Sequence, residues 1–186
     1  MRRILLARHG ETEWNALGRL QGHTDIPLNE MGRSQARSLA AGVVGAGIEA
    51  VVTSDLARAR ETGEIVAAAL GLGAPAIDPA LRERRFGVFE GLTRVQCAAN
   101  HPEAWRAWKE QTTAPPGGEP STAAVARMAE VLARLAAGEG GPMLVISHGG
   151  VMRLWLMDTL GETVPLIANA AVYAIEHDGR RLRVRR

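Results

Sequence analysis

The chain has 186 residues, 46% hydrophobic and 23% charged, an ordinary soluble-domain composition that is long enough for one substantial core. A net charge of +2 does not call for a polyanionic partner, and no apolar run is long enough to span a bilayer. Met1-Arg2-Arg3 is followed by only four apolar residues before Arg8, which predicts no signal peptide, and a single cysteine, Cys97, excludes an intrachain disulfide and suits a reducing cytoplasm.

Strand and helix signals then alternate. Residues 3–7 read as a strand. Pro27-Leu28-Asn29-Glu30 opens a helix with Asn29 as cap, carries apolar positions Ala36, Leu39, Ala40 and Val43, and ends at Gly45-Ala46-Gly47. A strand over 50–53 precedes a helix that Ser54 or Asp55 caps and Gly71 stops. Ala76-Ile77 is a short strand, and the mixed charges and glycines of 81–91 read as a loop. Residues 93–111 are helical with a break near Asn100-His101-Pro102, 112–120 is a loop, and 121–137 is a helix. A strand over 142–147, a helix over 150–160 and a hairpin of 170–177 with 181–185 around Asp178-Gly179-Arg180 complete the chain. This order predicts one α/β domain over 1–186, with a mostly parallel sheet and helices on both faces. The segment 93–120 is expected to be an insertion over one end of the sheet, a lid.

Two histidines end two apolar runs. Ile4-Leu5-Leu6-Ala7 leads into Arg8-His9-Gly10, and Met143-Leu144-Val145-Ile146 leads into Ser147-His148-Gly149-Gly150. Ligands of open α/β sheets bind at the carboxyl ends of parallel strands, so neighbouring strands would turn His9 and His148 to one crevice. Arg8 marks that crevice for an anion, since the guanidinium fork matches phosphate. Gly10 and Gly149-Gly150 are expected to let backbone amides approach the anion, and the helix opened by Gly149-Gly150 to favour it by its amino end. In Thr53-Ser54-Asp55-Leu56-Ala57-Arg58-Ala59-Arg60, Arg58 leans back over the same crevice, whereas Arg60, about 200° further round a helix, faces solvent. A histidine nucleophile needs an acid for the leaving alcohol. Glu83, in Leu81-Arg82-Glu83-Arg84-Arg85-Phe86-Gly87, is the candidate, against the alternative of an arginine-paired surface carboxylate.

These segments resemble the histidine phosphatase superfamily in its phosphoglycerate-mutase-like branch, of the broad-specificity and alpha-ribazole-phosphate phosphatase type. The resemblance runs through Leu6-Ala7-Arg8-His9-Gly10-Glu11-Thr12-Glu13-Trp14-Asn15, Gly18-Arg19-Leu20-Gln21-Gly22-His23-Thr24-Asp25, Ser54-Asp55-Leu56-Ala57-Arg58-Ala59, Leu81-Arg82-Glu83 with Phe86-Gly87 and Glu90-Gly91, Pro116-Gly117-Gly118-Glu119, and Ser147-His148-Gly149-Gly150. An isolated Arg-His-Gly is weak evidence; this series in order is specific. The resemblance implies a three-layer α/β/α sandwich. It implies His9 as the residue that becomes phosphohistidine, Arg8, Arg58 and His148 as the positive pocket for the phosphoryl group, and Glu83 as proton donor. It puts Asn15, Gln21, Gly22 and Gly149 among substrate contacts and implies no metal or other cofactor. The family's Gly-Gly-Glu-Ser reads Gly118-Glu119-Pro120-Ser121 here, which proline tolerates as a helix start.

The expected activity is a metal-independent phosphatase of a small phosphorylated metabolite, working in the cytoplasm without nucleic acid or membrane. The alternatives are a cofactor-dependent phosphoglycerate mutase and a phospho-ligand binding module without turnover. Cys97 reads as a small packing residue, and His101 and His177 as surface. His23 is equally a substrate contact and a surface residue, Trp14 packs beneath the first loop, and Trp105 with Trp108, on one helix face, either anchors its helix, the favoured reading, or lines the substrate entrance from the lid. The arginine-rich hairpin 170–186 is either an edge that pairs into a homodimer or one that charge keeps single.

Overall fold

The strands are β1 (Ile4–Arg8), β2 (Ala50–Thr53), β3 (Ala76–Ile77), β4 (Met143–Ser147), β5 (Val172–His177) and β6 (Leu182–Arg185). In the computed structural model, which describes residues 2–110, 112–177 and 182–185, they form one sheet in the order β3-β2-β4-β1-β5-β6. The first four are mutually parallel. β5 runs antiparallel to β1 and β6 antiparallel to β5, so β5 alone opposes the others. The hairpin strands pair as expected; its turn, Asp178-Gly179-Arg180, lies outside the described residues, as do the side chains of His177 and most of the basic tail.

The helices are α1 (Glu13–Ala16), α2 (Glu30–Val43), α3 (Ala57–Ala69), α4 (Arg94–Asn100), α5 (Pro102–Lys109), α6 (Ser121–Ala137) and α7 (Gly149–Leu160). The unbroken apolar runs of β1 and β4 have a physical cause: both faces of the sheet are covered. Leu5, Ala7, Leu144 and Ile146 pack under α2 and α3 with Leu39, Ala40 and Val66. Ile4, Leu6, Met143 and Val145 pack on the other side under α6 and α7 with Met128, Leu132, Met152 and Trp155. Successive residues of one strand thus serve opposite layers, and the result is the three-layer α/β/α sandwich. Among the described residues no helix is long and apolar enough to cross a membrane.

β1 and β4 are direct neighbours in register, from Ile4 opposite Met143 to Arg8 opposite Ser147. His9 and His148 therefore leave the sheet side by side at its carboxyl edge. Helix α2 begins where the sequence places it, with the Asn29 side chain accepting from the Gly32 amide at 2.8 Å. Helix α3 does not. Neither Ser54 nor Asp55 caps it; its first amide, that of Ala57, donates at 2.7 Å to Asp25 Oδ1 from a distant loop. Asp55 instead holds Arg82, at 2.7 Å from its Nε. The short α1 carries no apolar stripe to announce it and rests on a reciprocal cap between Thr12 and Asn15.

Helices α4 and α5 break at His101 as expected and sit on their own small cluster. The rings of Trp105 and Trp108 lie 5.6 and 5.8 Å from that of Phe89, with Cys97 buried beside it. Burial pushes the Cys97 thiol up, away from thiolate character. His101 is not a plain surface residue: its ring lies 6.0 Å from Phe89. The Gly118-Glu119-Pro120 loop is structural, since Glu119 pairs with Arg127 at 2.8 Å and Pro120 immediately precedes the first residue of α6.

Candidate active site

A cavity of about 380 Å³ opens at the carboxyl ends of β1 and β4, lined among others by Arg8, His9, Arg58 and Glu83 and by Asn15, Gln21, Gly22 and Gly149. His148 is fully buried beside it, its ring centroid 5.0 Å from that of His9. Residues scattered over 140 positions of sequence are thus brought to one place by the pairing of β1 with β4 and of β4 with β2.

The two imidazoles are held in opposite tautomers. Nδ1 of His9 lies 2.6 Å from the carbonyl oxygen of Gly10. A carbonyl only accepts, so the network assigns the proton to Nδ1 and leaves a lone pair on Nε2. At His148 the partner is a guanidinium, which only donates. Arg58 Nε gives its hydrogen to His148 Nδ1 at 3.2 Å, so the proton of His148 sits on Nε2. That Nε2–H is buried and has no partner among the described residues. One ring offers a lone pair and the other a donor. Burial is the main reason both imidazoles fall well below the usual histidine range, with Arg58 the next cause for each. Both are neutral at neutral pH.

Arg58, fully buried in the first turn of α3, is fixed by three acceptors: His148 Nδ1, the carbonyl of Thr24 at 3.0 Å and that of Gly22 at 2.8 Å. Burial lowers its pKa to about 10, opposed in part by Glu83, so it stays cationic at neutral pH with two of its five N–H groups uncommitted. Arg60 faces out and pairs with Glu64 at 3.6 Å. Arg8 reaches the Ile167 carbonyl at 2.6 Å through Nη1, and its Nε is buried without a hydrogen-bond partner among the described residues. Two buried donors, Arg8 Nε and His148 Nε2, have no partner among the described residues, one on the residue before His9 and one on the ring beside it. Such groups are costly unless an acceptor arrives, and an oxyanion with several acceptor oxygens satisfies both.

Glu83 is not a surface carboxylate; it is 8% exposed. Its Oε1 accepts from the amides of Arg84 at 2.8 Å and Val151 at 2.7 Å, and its Oε2 from Gly150 at 2.7 Å. With a single such bond, Oε2 retains room for a proton. Glu83 therefore takes the Gly150 and Val151 amides in the first turn of α7, whereas Gly149, the first residue of that helix, lines the cavity. The glycines have a different purpose too. The amide of Gly10 donates to Thr62 Oγ1 at 3.0 Å, not into the cavity. A side chain at Gly10 would run into the backbone of Gly32 in α2. A Cβ at Gly149 would come within 2.9 Å of Arg8 Nε, and one at Gly150 within 2.7 Å of Glu83 Oε1. These residues are small so that side chains and helices can close in.

Asn15 Oδ1 is taken up by Thr12 and by Asn169 Nδ2 at 3.3 Å, which turns its own amide nitrogen to other use. Gln21 accepts from Thr12 Oγ1 at 3.0 Å. Gly22, at φ 55°, admits the Glu90 carboxylate, which a Cβ would strike. His23 is neither a cavity wall nor a surface residue: its Nε2 lies 2.8 Å from the carbonyl of Glu83 and braces that loop. Trp108 both anchors its helix and lines the cavity.

Sequence reasoning missed three residues. Asn169 donates to the His9 carbonyl at 3.1 Å; it follows a stretch without periodicity and gives no signal. Thr62 ties the loop after His9 to α3 but reads as one more helical threonine. Arg84 lines the cavity and is 6% exposed, although its run of charged neighbours points to solvent. Among the described residues no three His, Cys, Asp or Glu side chains converge as a metal would require.

Comparison with known proteins gives a consistent outcome. The chain is 39% identical over 162 residues to a glucosyl-3-phosphoglycerate phosphatase of Mycobacterium tuberculosis, covering 81% of this chain and 72% of that one. It is 35% identical to a metal-independent phosphoserine phosphatase of Arabidopsis thaliana over 92% of this chain and 75% of the relative. The solved structure of Bacillus stearothermophilus YhfR superposes with a TM-score of 0.89 at 31% identity, over 99% of this chain and 95% of that one. The family model of the histidine phosphatase superfamily, branch 1, matches residues 4–186, and the chain belongs to that family.

Proposed function

We propose that the protein is a metal-independent phosphatase of small phosphomonoesters that works through a phosphohistidine on His9. The observation that carries this reading is the pair of opposite tautomers: an unprotonated Nε2 on His9 beside a protonated, unpartnered Nε2 on His148. Arg8, Arg58 and His148 hold the phosphoryl oxygens, whose charge spreads in the transition state and is best met by preorganised donors. The His9 lone pair forms the N–P bond as the bond to the leaving oxygen breaks. Glu83 serves as the proton donor to that oxygen. In the second half Glu83 takes a proton from water, the water oxygen bonds to phosphorus, and the N–P bond returns its electrons to His9. Asn15, Gln21, Gly22 and Gly149 bound the same space, and 93–120 serves as the lid, with Trp108 as its inner face.

His9→Ala is expected to abolish phosphate release from p-nitrophenyl phosphate and to abolish acid-labile, alkali-stable phosphoenzyme in quenched reactions, with an unchanged thermal midpoint. Retained turnover in the folded variant overturns the reading. Because relatives include a probable phosphoglycerate mutase of Serratia proteamaculans, 40% identical over 165 residues, the same assay follows the fate of the phosphoryl group. Release to water exceeding transfer to 3-phosphoglycerate supports the phosphatase, and the reverse supports a mutase.

A further inference from the structure

Charge in the cavity exceeds what one phosphoryl group needs. Six arginines line it, Arg8, Arg19, Arg58, Arg84, Arg94 and Arg153, against one carboxylate, that of Glu83. Two of them flank His9. Arg84 is different in place and in construction. It follows Glu83 in the chain, lines the same cavity and feels the charge of Glu83. Its guanidinium carbon lies 5.3 Å from the Phe86 ring centroid and 5.4 Å from that of Trp108, a position in which aromatic faces hold a cation without neutralising it. Nη1 donates to Ser121 Oγ. Nε is buried with no hydrogen-bond partner among the described residues. No carboxylate forms a salt bridge with Arg84 among the described residues.

A guanidinium that is 6% exposed, stacked rather than paired and turned to a cavity is costly in the empty protein. An anion from outside repays that cost. The cavity volume of about 380 Å³ lies within the range of small-molecule sites, roughly 300–1,000 Å³, and leaves space beyond a phosphoryl group.

We infer that Arg84, held by Phe86, Trp108 and Ser121, selects substrates whose leaving group carries a second anionic substituent, a carboxylate or a second phosphate. This rests on the phosphatase reading for the orientation of the ester but not for the existence of the contact. Arg84 binds the far end of the leaving group while Arg8 and Arg58 bind the near phosphoryl end. Two charges at a fixed separation then set which alcohol is presented to Glu83.

The test uses equilibrium binding, so that it stands even if turnover is absent. In a His9→Ala background, calorimetry is run with 3-phosphoglycerate, fructose 1,6-bisphosphate and glycerol 3-phosphate, the last having no second anion. At least one of the first two is expected to bind tenfold or more tightly than glycerol 3-phosphate, and the favoured one identifies the substituent. Adding Arg84→Gln is expected to collapse that ratio to within twofold, and Arg84→Lys to restore part of it, since the charge returns without the fork. Equal affinities for all three ligands, or a preference that survives Arg84→Gln, overturn the inference. If Arg84→Gln does not fold, Arg84→Lys decides alone: an unchanged ratio overturns, a reduced one supports. Failure of the phosphoenzyme experiment with His9 leaves this binding result intact, so the two claims fail separately.

Discussion

The ends of β1 and β4 look alike in sequence and do opposite things. Each finishes in a histidine followed by glycine, and the two strands are in register. At the end of β1 the next carbonyl, that of Gly10, captures the Nδ1 proton. At the end of β4 the Gly149 that follows makes room for Arg8 instead, and a guanidinium on α3 donates to Nδ1. The neighbour of the ring, not the motif around it, decides which nitrogen of a histidine keeps its proton.

The largest expected effect breaks that pair apart. His9→Ala removes the unprotonated Nε2 and is expected to leave no phosphoenzyme. His148→Ala removes one hydrogen-bond donor, and loss of such a donor costs about 10²–10³-fold in kcat. Phosphohistidine should still form in His148→Ala, more slowly, in a rapid-quench experiment. Equal and total loss in both variants would mean that the tautomers do not divide the work.

A smaller effect separates the glycines. Gly150→Ala pushes on the Glu83 carboxylate, whose acid function is typically worth about 10²–10⁴-fold. Alkyl phosphates, with poor leaving groups, should lose far more kcat/KM than p-nitrophenyl phosphate. Gly149→Ala, which presses on Arg8, should slow both substrates alike. The same loss for both substrates in Gly150→Ala would argue against Glu83 as the acid.

The smallest effect is in pH dependence. Both imidazoles have folded pKa values below the unfolded value near 6.5, chiefly by burial. Below 6.5 the unfolded chain binds more protons than the folded one, so their contribution to stability is full above 6.5 and is lost as the pH falls towards the depressed values. The thermal midpoint of the unliganded protein should hold between pH 8 and 7 and drop below 6.5, less steeply in His9→Ala. A midpoint independent of pH down to 5 would contradict the burial of two neutral rings.

Much of this was legible in the chain. Apolar runs that end in glycine located β1 and β4, helical spacing located α2, α3, α6 and α7, and the motif series pointed to His9, Arg58, Glu83 and His148. What was hidden depends on distance, not pattern. Asp25 caps α3 across 32 positions, so no local residue reveals the cap. The amides of α7 belong to Glu83, which no periodicity can say. Gly10, Gly149 and Gly150, read as openings for a ligand, also make room for α2, Arg8 and Glu83. Arg84 sat in a charged run that resembles a solvated loop, and the rings of Phe86 and Trp108 with the Ser121 hydroxyl draw it inward.

The contact between Gly10 and Gly32 has a consequence for how substitutions are tolerated. A side chain at Gly10 would meet the backbone of Gly32, and one at Gly32 would meet the backbone of Glu11. Neither collision can be relieved by rotating a neighbour, because backbone meets backbone. Position 32, with no chemistry of its own, is therefore expected to be as unforgiving as His9. In a saturation screen scored on activity alone the two sites would be indistinguishable; the amount of folded protein separates them, falling for Gly32 and holding for His9.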